Sequence, residues 1–307
     1  MLEAVIDTLE FFPKGLIYVA LGIVVLFLAK LAQDFLTPYR INQQLGQNDN
    51  VSLGLSITGY FLGVITVFVG VIYQPDIVIQ DGNWLPDGDF WMGIVEVFVY
   101  SIVGILVLNG ARIVVDKLVL YKFDTEKEII EDHNIGTGAV EFAVYVAVGL
   151  VIAAATSGTG VGIEGTDGPS LVDTAVRSVV FFLLGMIVLI LFSLFYQIST
   201  SFDIHEEIKN GNKAVGIAMA GNLLAIGLVT FKAVFGEFVG WTESITAFVI
   251  FAVIGFVLLY LVRIVVDIVI LPGTRVAEEL TRDRNLGVAF IESGVLISSA
   301  MVLYFAI

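Results

Sequence analysis

The sequence predicts an all-α integral membrane protein of eight transmembrane helices, arranged as two parallel-oriented four-helix repeats. Three observations predict it. The 307 residues are 58% hydrophobic and only 15% charged, with mean hydropathy +0.96, whereas a soluble domain is about 25% charged. The pentapeptide Arg-Ile-Val-Val-Asp occurs at 112–116 and again at 263–267. The same shift of 151 positions superposes Asp132 on Asp283, Asn134 on Asn285, Gly136 on Gly287 and Glu141 on Glu292. Finally, 12 of the 15 lysines and arginines fall in or beside alternate connections, the asymmetry of a polytopic membrane protein.

The apolar windows run near 15–36, 51–73, 92–119, 135–156, 174–198, 213–235, 244–270 and 287–307. Each is about 20 residues, enough to cross a hydrocarbon core. In lipid every backbone group must bond within its own segment, so helices are expected. Transmembrane strands would alternate apolar and polar residues, and the run 179–192 (VVFFLLGMIVLILF) does not. The first window is preceded by Glu3, Asp7 and Glu10 rather than by basic residues, and no small-residue cleavage site is clear. It therefore reads as a membrane helix and not as a signal peptide. Texture changes at SGTGVGIEGTDGPS, a flexible composition. This divides the chain into a first repeat (1–157), a Gly-rich outer linker (158–170) and a second repeat (171–307).

Only Lys14, Arg177 and Lys232 lie on the side away from the basic connections. The positive-inside rule then puts both termini outside. The outer segments carry Asp76, Asp81, Asp87, Asp89, Glu164, Asp167 and Asp173, much of the net charge of −15. Solvation of outer loops accounts for them better than a cation-gathering pore mouth, because no cage spacing appears. No basic stripe suggests nucleic acid as a partner. The absence of cysteine excludes disulfides and thiolate chemistry.

A shorter repeat lies inside each copy. Asn50-Val-Ser-Leu-Gly54, Asn134-Ile-Gly-Thr-Gly138, Asn212-Lys-Ala-Val-Gly216 and Asn285-Leu-Gly-Val-Ala289 each open an apolar span after an amphipathic cytoplasmic stretch. The chain thus reads as four versions of one hairpin: helix, short surface helix, Asn, helix. Small residues at Gly54, Thr58, Gly59 and Gly63, and at Gly216, Ala220, Gly221 and Ala225, have the spacing that lets helix backbones approach. Tyr60 and Asn222 occupy matching positions that could face the same interior.

The segment 204–221, with its Glu-Glu-Ile-Lys-x-Gly-Asn core, resembles domain-of-unknown-function family 350, as do Arg-Ile-Val-Val-Asp, Leu-Pro-Gly (271–273) and Asn285-Leu-Gly-x-Ala-x-Ile-Glu292. The resemblance covers nearly the whole chain as two tandem domains. It implies a multi-pass protein of the bacterial inner membrane with four helices per domain, and an association with envelope-stress proteins. The first copy departs from the pattern, with Gln-Asn-Asp-Asn for Asn-Gly-Asn and no Leu-Pro-Gly after residue 120.

Charge inside a bilayer is costly and points to a protein interior or a water-filled path. Arg112, Asp116 and Glu141, and their counterparts Arg263, Asp267 and Glu292, fall at equal depths on adjoining spans. An Asp–Arg–Glu triad is expected in each copy, either as ion pairs locking the helices or as a proton or cation route through the carboxylates. Neither His133 nor His205 has the company that a metal site needs, and both read as exposed loop residues. Trp84, Trp91 and Trp241 suit an outer aromatic belt, and Lys232 can snorkel toward water near Glu237. No nucleophile with a base and an orienting group emerges, so no catalytic residue, metal or cofactor is assigned. The expected function is a non-catalytic membrane-complex or envelope-stress component; the alternative is a proton or cation channel or transporter. Expected partners are the lipid bilayer, a cytoplasmic protein and a second copy of the chain.

Overall fold

The computed structural model describes residues 12–72, 88–122, 124–157, 170–236, 238–273 and 275–306. The linker at 158–169, Asp76, Asp81, Asp87, Glu164, Asp167, Trp84 and Glu237 lie outside the described residues. Eight long helices have the length and hydropathy to cross a membrane: α1 (Phe12–Leu36), α3 (Val51–Ile72), α4 (Gly88–Val119), α6 (Ile135–Thr156), α7 (Leu171–Ser199), α9 (Lys213–Val234), α10 (Trp241–Val265) and α12 (Leu286–Ala306). A π-helical turn, Val266–Ile270, continues α10. Four six-residue helices join them in pairs: α2 (Ile41–Gly46), α5 (Thr125–Ile130), α8 (Ile204–Lys209) and α11 (Val276–Thr281). The chain is therefore four hairpins in series, α1–α3, α4–α6, α7–α9 and α10–α12, with their short helices at one end of the bundle.

The second helices of the hairpins form an inner row in which α3 packs on α6, α6 on α9 and α9 on α12. No comparable pairing joins α3 to α12, so the row has two ends. The first helices form an outer layer seated in the grooves: α4 on α3 and α6, α7 on α6 and α9, α10 on α9 and α12, while α1 packs along α3 and α4. The most apolar window of α6 is 83% buried within the protein and that of α1 17%. The remaining surface is rich in the exposed apolar side chains that lipid requires, as with Phe27, Leu183 and Val253.

Small residues set the spacing of the inner row. A Cβ at Gly59 would collide with the backbone of Phe142, one at Gly138 with that of Ser52, and one at Gly216 with that of Gly136. At Gly221 it would strike Ser293. Close backbone approach gives helices in lipid their dispersion contacts, since lipid tails remove any hydrophobic driving force.

Each inner helix starts the same way. The residue before the Asn takes the left-handed conformation: Asp49 (φ 48°), His133 (φ 50°), Gly211 (φ 73°) and Arg284 (φ 48°). The Asn side chain then caps the helix. Asn134 Oδ1 accepts from the N–H of Gly136 at 3.0 Å and Thr137 at 3.3 Å, and Asn212 from Ala214 at 3.1 Å and Val215 at 3.3 Å. Asn285 accepts from Gly287 at 3.0 Å and Val288 at 3.3 Å, and Asn50 from Leu53 at 3.0 Å. These N–H groups would otherwise lack intrahelical partners.

Candidate functional site: two intramembrane charge clusters

In the first repeat the triad closes. Arg112 on α4 donates from its Nη2 to Oε1 of Glu141 on α6, and its Nε lies 3.0 Å from Oδ2 of Asp116, one turn further along α4. Ser56 on α3 donates to the other oxygen of Glu141. Three helices therefore meet on one carboxylate that is 2% exposed. The Arg112 guanidinium also lies 5.7 Å from the ring centre of Tyr145, an attraction of cation to ring face.

Tyr145 opens a second polar layer that the sequence reading missed in part. Gln33 on α1 donates to the Tyr145 hydroxyl (3.1 Å) and to Oδ1 of Asn109 (3.0 Å). Asn109 in turn donates to the Tyr60 hydroxyl (3.1 Å) and the Ile105 carbonyl (2.8 Å). Tyr60 donates to the carbonyl of Ala29 (3.2 Å). The signal was present: Asn109, Arg112 and Asp116 share one face of α4, and Gln33 is a lone amide near the end of an apolar span. Tyr60 and Asn222 do both face the interior, at 0% and 4% exposure; Asn222 spends its amide on the Ala218 carbonyl of its own helix (2.8 Å).

The second repeat holds the same residues more loosely. Arg263 Nε lies 3.5 Å from Oε1 of Glu292, while its Nη1 donates to Ser199 at 3.0 Å and its guanidinium stacks 4.7 Å from the centre of Tyr196. Glu292 is fully buried, yet neither of its oxygens has a donor in hydrogen-bond geometry. Asp267 corrects the expectation of a second full triad: among the described residues it forms no ion pair with Arg263. Its Oδ1 accepts from the N–H of Val276 at 3.2 Å, as Asp34 Oδ1 accepts from Ile41 at 3.2 Å in the first hairpin. The π-helical turn begins between Arg263 and Asp267, and its wider winding removes the one-turn alignment that Arg112 and Asp116 keep in α4.

His205 is a second correction. It is 3% exposed rather than a free loop residue, its Nε2 bonded to the Val119 carbonyl at 2.7 Å and its ring against Tyr121. Burial pushes its imidazole below the ordinary value. Beside it, Lys122 pairs with Asp203 and Gln197 donates to the same Val119 carbonyl at 2.9 Å, which joins the second hairpin to the third. His133 is exposed at its positive φ. Among the described residues no three His, Cys, Asp or Glu side chains gather as a metal site.

The remaining predicted positions are packing elements. Asn50, Asn134, Asn212 and Asn285 are the caps; Gly59, Gly136, Gly216 and Gly221 are at close helix contacts; Gly54 meets only Leu45 of α2, and Gly287 only its own capping asparagine. Lys232 lies 5.5 Å from the ring centre of Tyr304 and 6.0 Å from that of Phe251. Trp91 and Trp241 are 51% and 43% exposed.

No solved structure matches the chain. A curated relative, a UPF0719 transmembrane protein of Aquifex aeolicus (strain VF5), is 24% identical over 269 residues, covering 87% of this chain and 90% of that protein. The profile of the family described as Domain of Unknown Function (DUF350) matches residues 7–156 and again 170–307. Two tandem four-helix copies under one family profile make the chain a member of the DUF350 family of transmembrane proteins.

Proposed function

We propose that the protein is a non-catalytic component of a membrane complex, seated in a bacterial inner membrane with both termini outside. The observation that carries this reading is the closure of Glu141, held on one oxygen by Arg112 and on the other by Ser56. A carboxylate so engaged serves as a clamp between α3, α4 and α6. Both donors come from other helices, so the carboxylate ties three helices in one register. Removing one partner of a buried ion pair is expensive even where the pair itself gains little. The short helices support a cytoplasmic protein partner: α11 and its flanks display Arg275, Glu278 and Arg282, with side chains 83%, 47% and 68% exposed. The 12-to-3 partition of basic residues supports placing these helices inside.

Flux measurement tests the reading. Purified protein in liposomes under a pH gradient is expected to pass neither protons nor monovalent cations. Single cysteines at Lys127 or Arg282 in this cysteine-free chain should resist an impermeant thiol reagent applied to sealed cells; labelling from outside would reverse the topology. The second reading, a proton or cation pathway, has its own observation in Glu292, buried without a hydrogen-bond donor. Flux in the wild type that disappears in Glu292→Gln would replace the scaffold with that pathway.

A further inference from the structure

We propose that the outer face of α12 is a docking site for a second copy of this chain, whose first hairpin continues the inner row. A series of contacts runs through the molecule and stops one member short at each end of the inner row.

The capping asparagines carry the first line. Besides capping its own helix, Asn50 donates its side-chain amide to the carbonyl of Ile129 in the next hairpin's short helix (2.8 Å). Asn134 does the same to Ile208 (2.7 Å) and Asn212 to Leu280 (2.8 Å). Ile129, Ile208 and Leu280 are each the fifth residue of a six-residue helix. Asn285 bonds Glu279 within its own hairpin (2.8 Å), as Asn134 bonds Glu128 (2.8 Å), but among the described residues no short-helix carbonyl accepts its second amide proton. At the other end, the fifth residue of α2 is Leu45, which no asparagine reaches. Leu45 is 37% exposed, whereas Ile129, Ile208 and Leu280 are 2% or less. A donor without its acceptor at one end meets an acceptor without its donor at the other.

The small-residue contacts give the second line. Counting from the capping asparagine, Ser52 on α3 presses on Gly138 of α6, and Gly136 of α6 presses on Gly216 of α9. By the same count the register aligns Ala214 of α9 with Ala289 of α12, both buried, and then Gly287 of α12 with Gly54 of a second copy. A parallel series has Gly59 against Phe142 and Gly221 against Ser293; counted from the asparagines, the same register aligns Ala143 with Ala220 between them, and its continuation sets Gly294 against Thr58. Gly294 has nothing within 4 Å and Gly54 meets only Leu45 of its own hairpin at 3.8 Å. Every position of α12 on this face (287, 291, 294, 298, 302, 305) is exposed, and every counterpart on α3 (52, 56, 59, 63, 67, 70) is buried.

The outer layer agrees. Each of α4, α7 and α10 fills a groove between two inner helices, whereas α1 packs along α3 and reaches a second inner helix only through the Gln33–Tyr145 hydrogen bond. A preceding copy's α12 would supply the other wall of its groove. Both copies enter the bilayer the same way round, so topology imposes no conflict. The contact is heterologous, giving a ring if the rotation closes and a row if it does not. This extends the scaffold reading by naming a partner. Flux decides that reading, crosslinking decides this one, and either can fail alone.

The test mixes two single-cysteine variants, Leu45→Cys and Leu286→Cys, in one bilayer and adds a short bis-maleimide. The mixed pair is expected to crosslink and neither variant alone, while native mass spectrometry of wild-type nanodiscs shows masses above one chain. Gly54→Leu and, separately, Gly294→Leu should abolish the crosslink with helicity and melting unchanged, because within the chain Gly294 has nothing within 4 Å and Gly54 meets only the partly exposed side chain at position 45, at 3.8 Å. Purely monomeric wild type, crosslinks between like variants, or crosslinks that survive both leucine substitutions would overturn the proposal.

Discussion

Glu141 and Glu292 lie at one offset in the duplication, yet the first has a donor on each oxygen and the second on neither. The difference comes from their neighbours. Ser56, which donates to Glu141, is replaced in the second repeat by Ala218; Tyr145, beside Arg112, by Leu296; and Asn109, which joins Tyr145 through Gln33, by Tyr260. Arg263 takes its ring contact from Tyr196 of the outer layer instead. Duplication copied the charged residues faithfully. It left the surroundings free to diverge, and the surroundings decide whether a buried carboxylate is a closed clamp or an unsatisfied group.

The strongest way to break this comparison is to remove each arginine. Arg112→Gln leaves two carboxylates without their cation and is expected to cost about 3–5 kcal/mol, read by unfolding in detergent micelles. Arg263→Gln should cost less than half as much, since Glu292 already lacks close donors. Glu141→Gln with Arg112→Gln should partly restore stability. Equal losses for the two arginines would show that the clusters are energetically alike despite their geometry.

The next test sharpens it through one hydroxyl. Ser56→Ala should destabilise by about 1–3 kcal/mol, the cost of an unsatisfied buried polar group. The reciprocal Ala218→Ser should stabilise, because it offers Glu292 the donor it lacks. A destabilised Ala218→Ser would mean that packing at that fully buried alanine outweighs the bond.

Backbone strain is shared where the clusters differ. His133 and Arg284 are counterparts with φ of 50° and 48°, a conformation that costs a non-glycine residue roughly 1–2 kcal/mol. Glycine relieves it but loses more freedom on folding, so His133→Gly and Arg284→Gly should each stabilise by up to about 1 kcal/mol. Unequal gains would place the asymmetry in the backbone as well.

The smallest effect is expected at the seam between repeats. His205 faces Asp203, Lys122 and the Tyr121 ring, and burial holds its imidazole below the ordinary 6.5. The unfolded chain then binds the proton more readily than the folded one. The seam's contribution is complete above 6.5 and is lost as pH falls below it toward the folded value. Melting temperature should decline on acidification in that window, and His205→Gln should flatten the decline. A wild-type curve as flat as the variant's would remove His205 as the cause.

Most of the fold was legible because lipid leaves the chain few options. Spans of about 20 apolar residues must be helices, and those read from sequence differ from α1–α12 by a few residues at their ends, mostly because the helices begin up to a turn earlier. The four-hairpin repeat was legible in the asparagines, since a cap needs that side chain at that place. The site was legible in part. Charge within an apolar span stands out, so Arg112, Asp116 and Glu141 could be placed at one depth before any contact was known.

The sequence by itself determined eight spans, their pairing into hairpins, the duplication and the positions of the buried charges, because these follow from local hydropathy and spacing. Only the tertiary structure decided that α3, α6, α9 and α12 form an open row, that Ser56 completes Glu141, that a π-turn separates Asp267 from Arg263, and that His205 is buried at the seam. Each of these depends on which side chain a different helix presents across a contact. A one-dimensional repeat does not encode that, because residues 80 or more positions apart in the chain, as Ser56 is from Glu141 with a separation of 85, become neighbours only through packing.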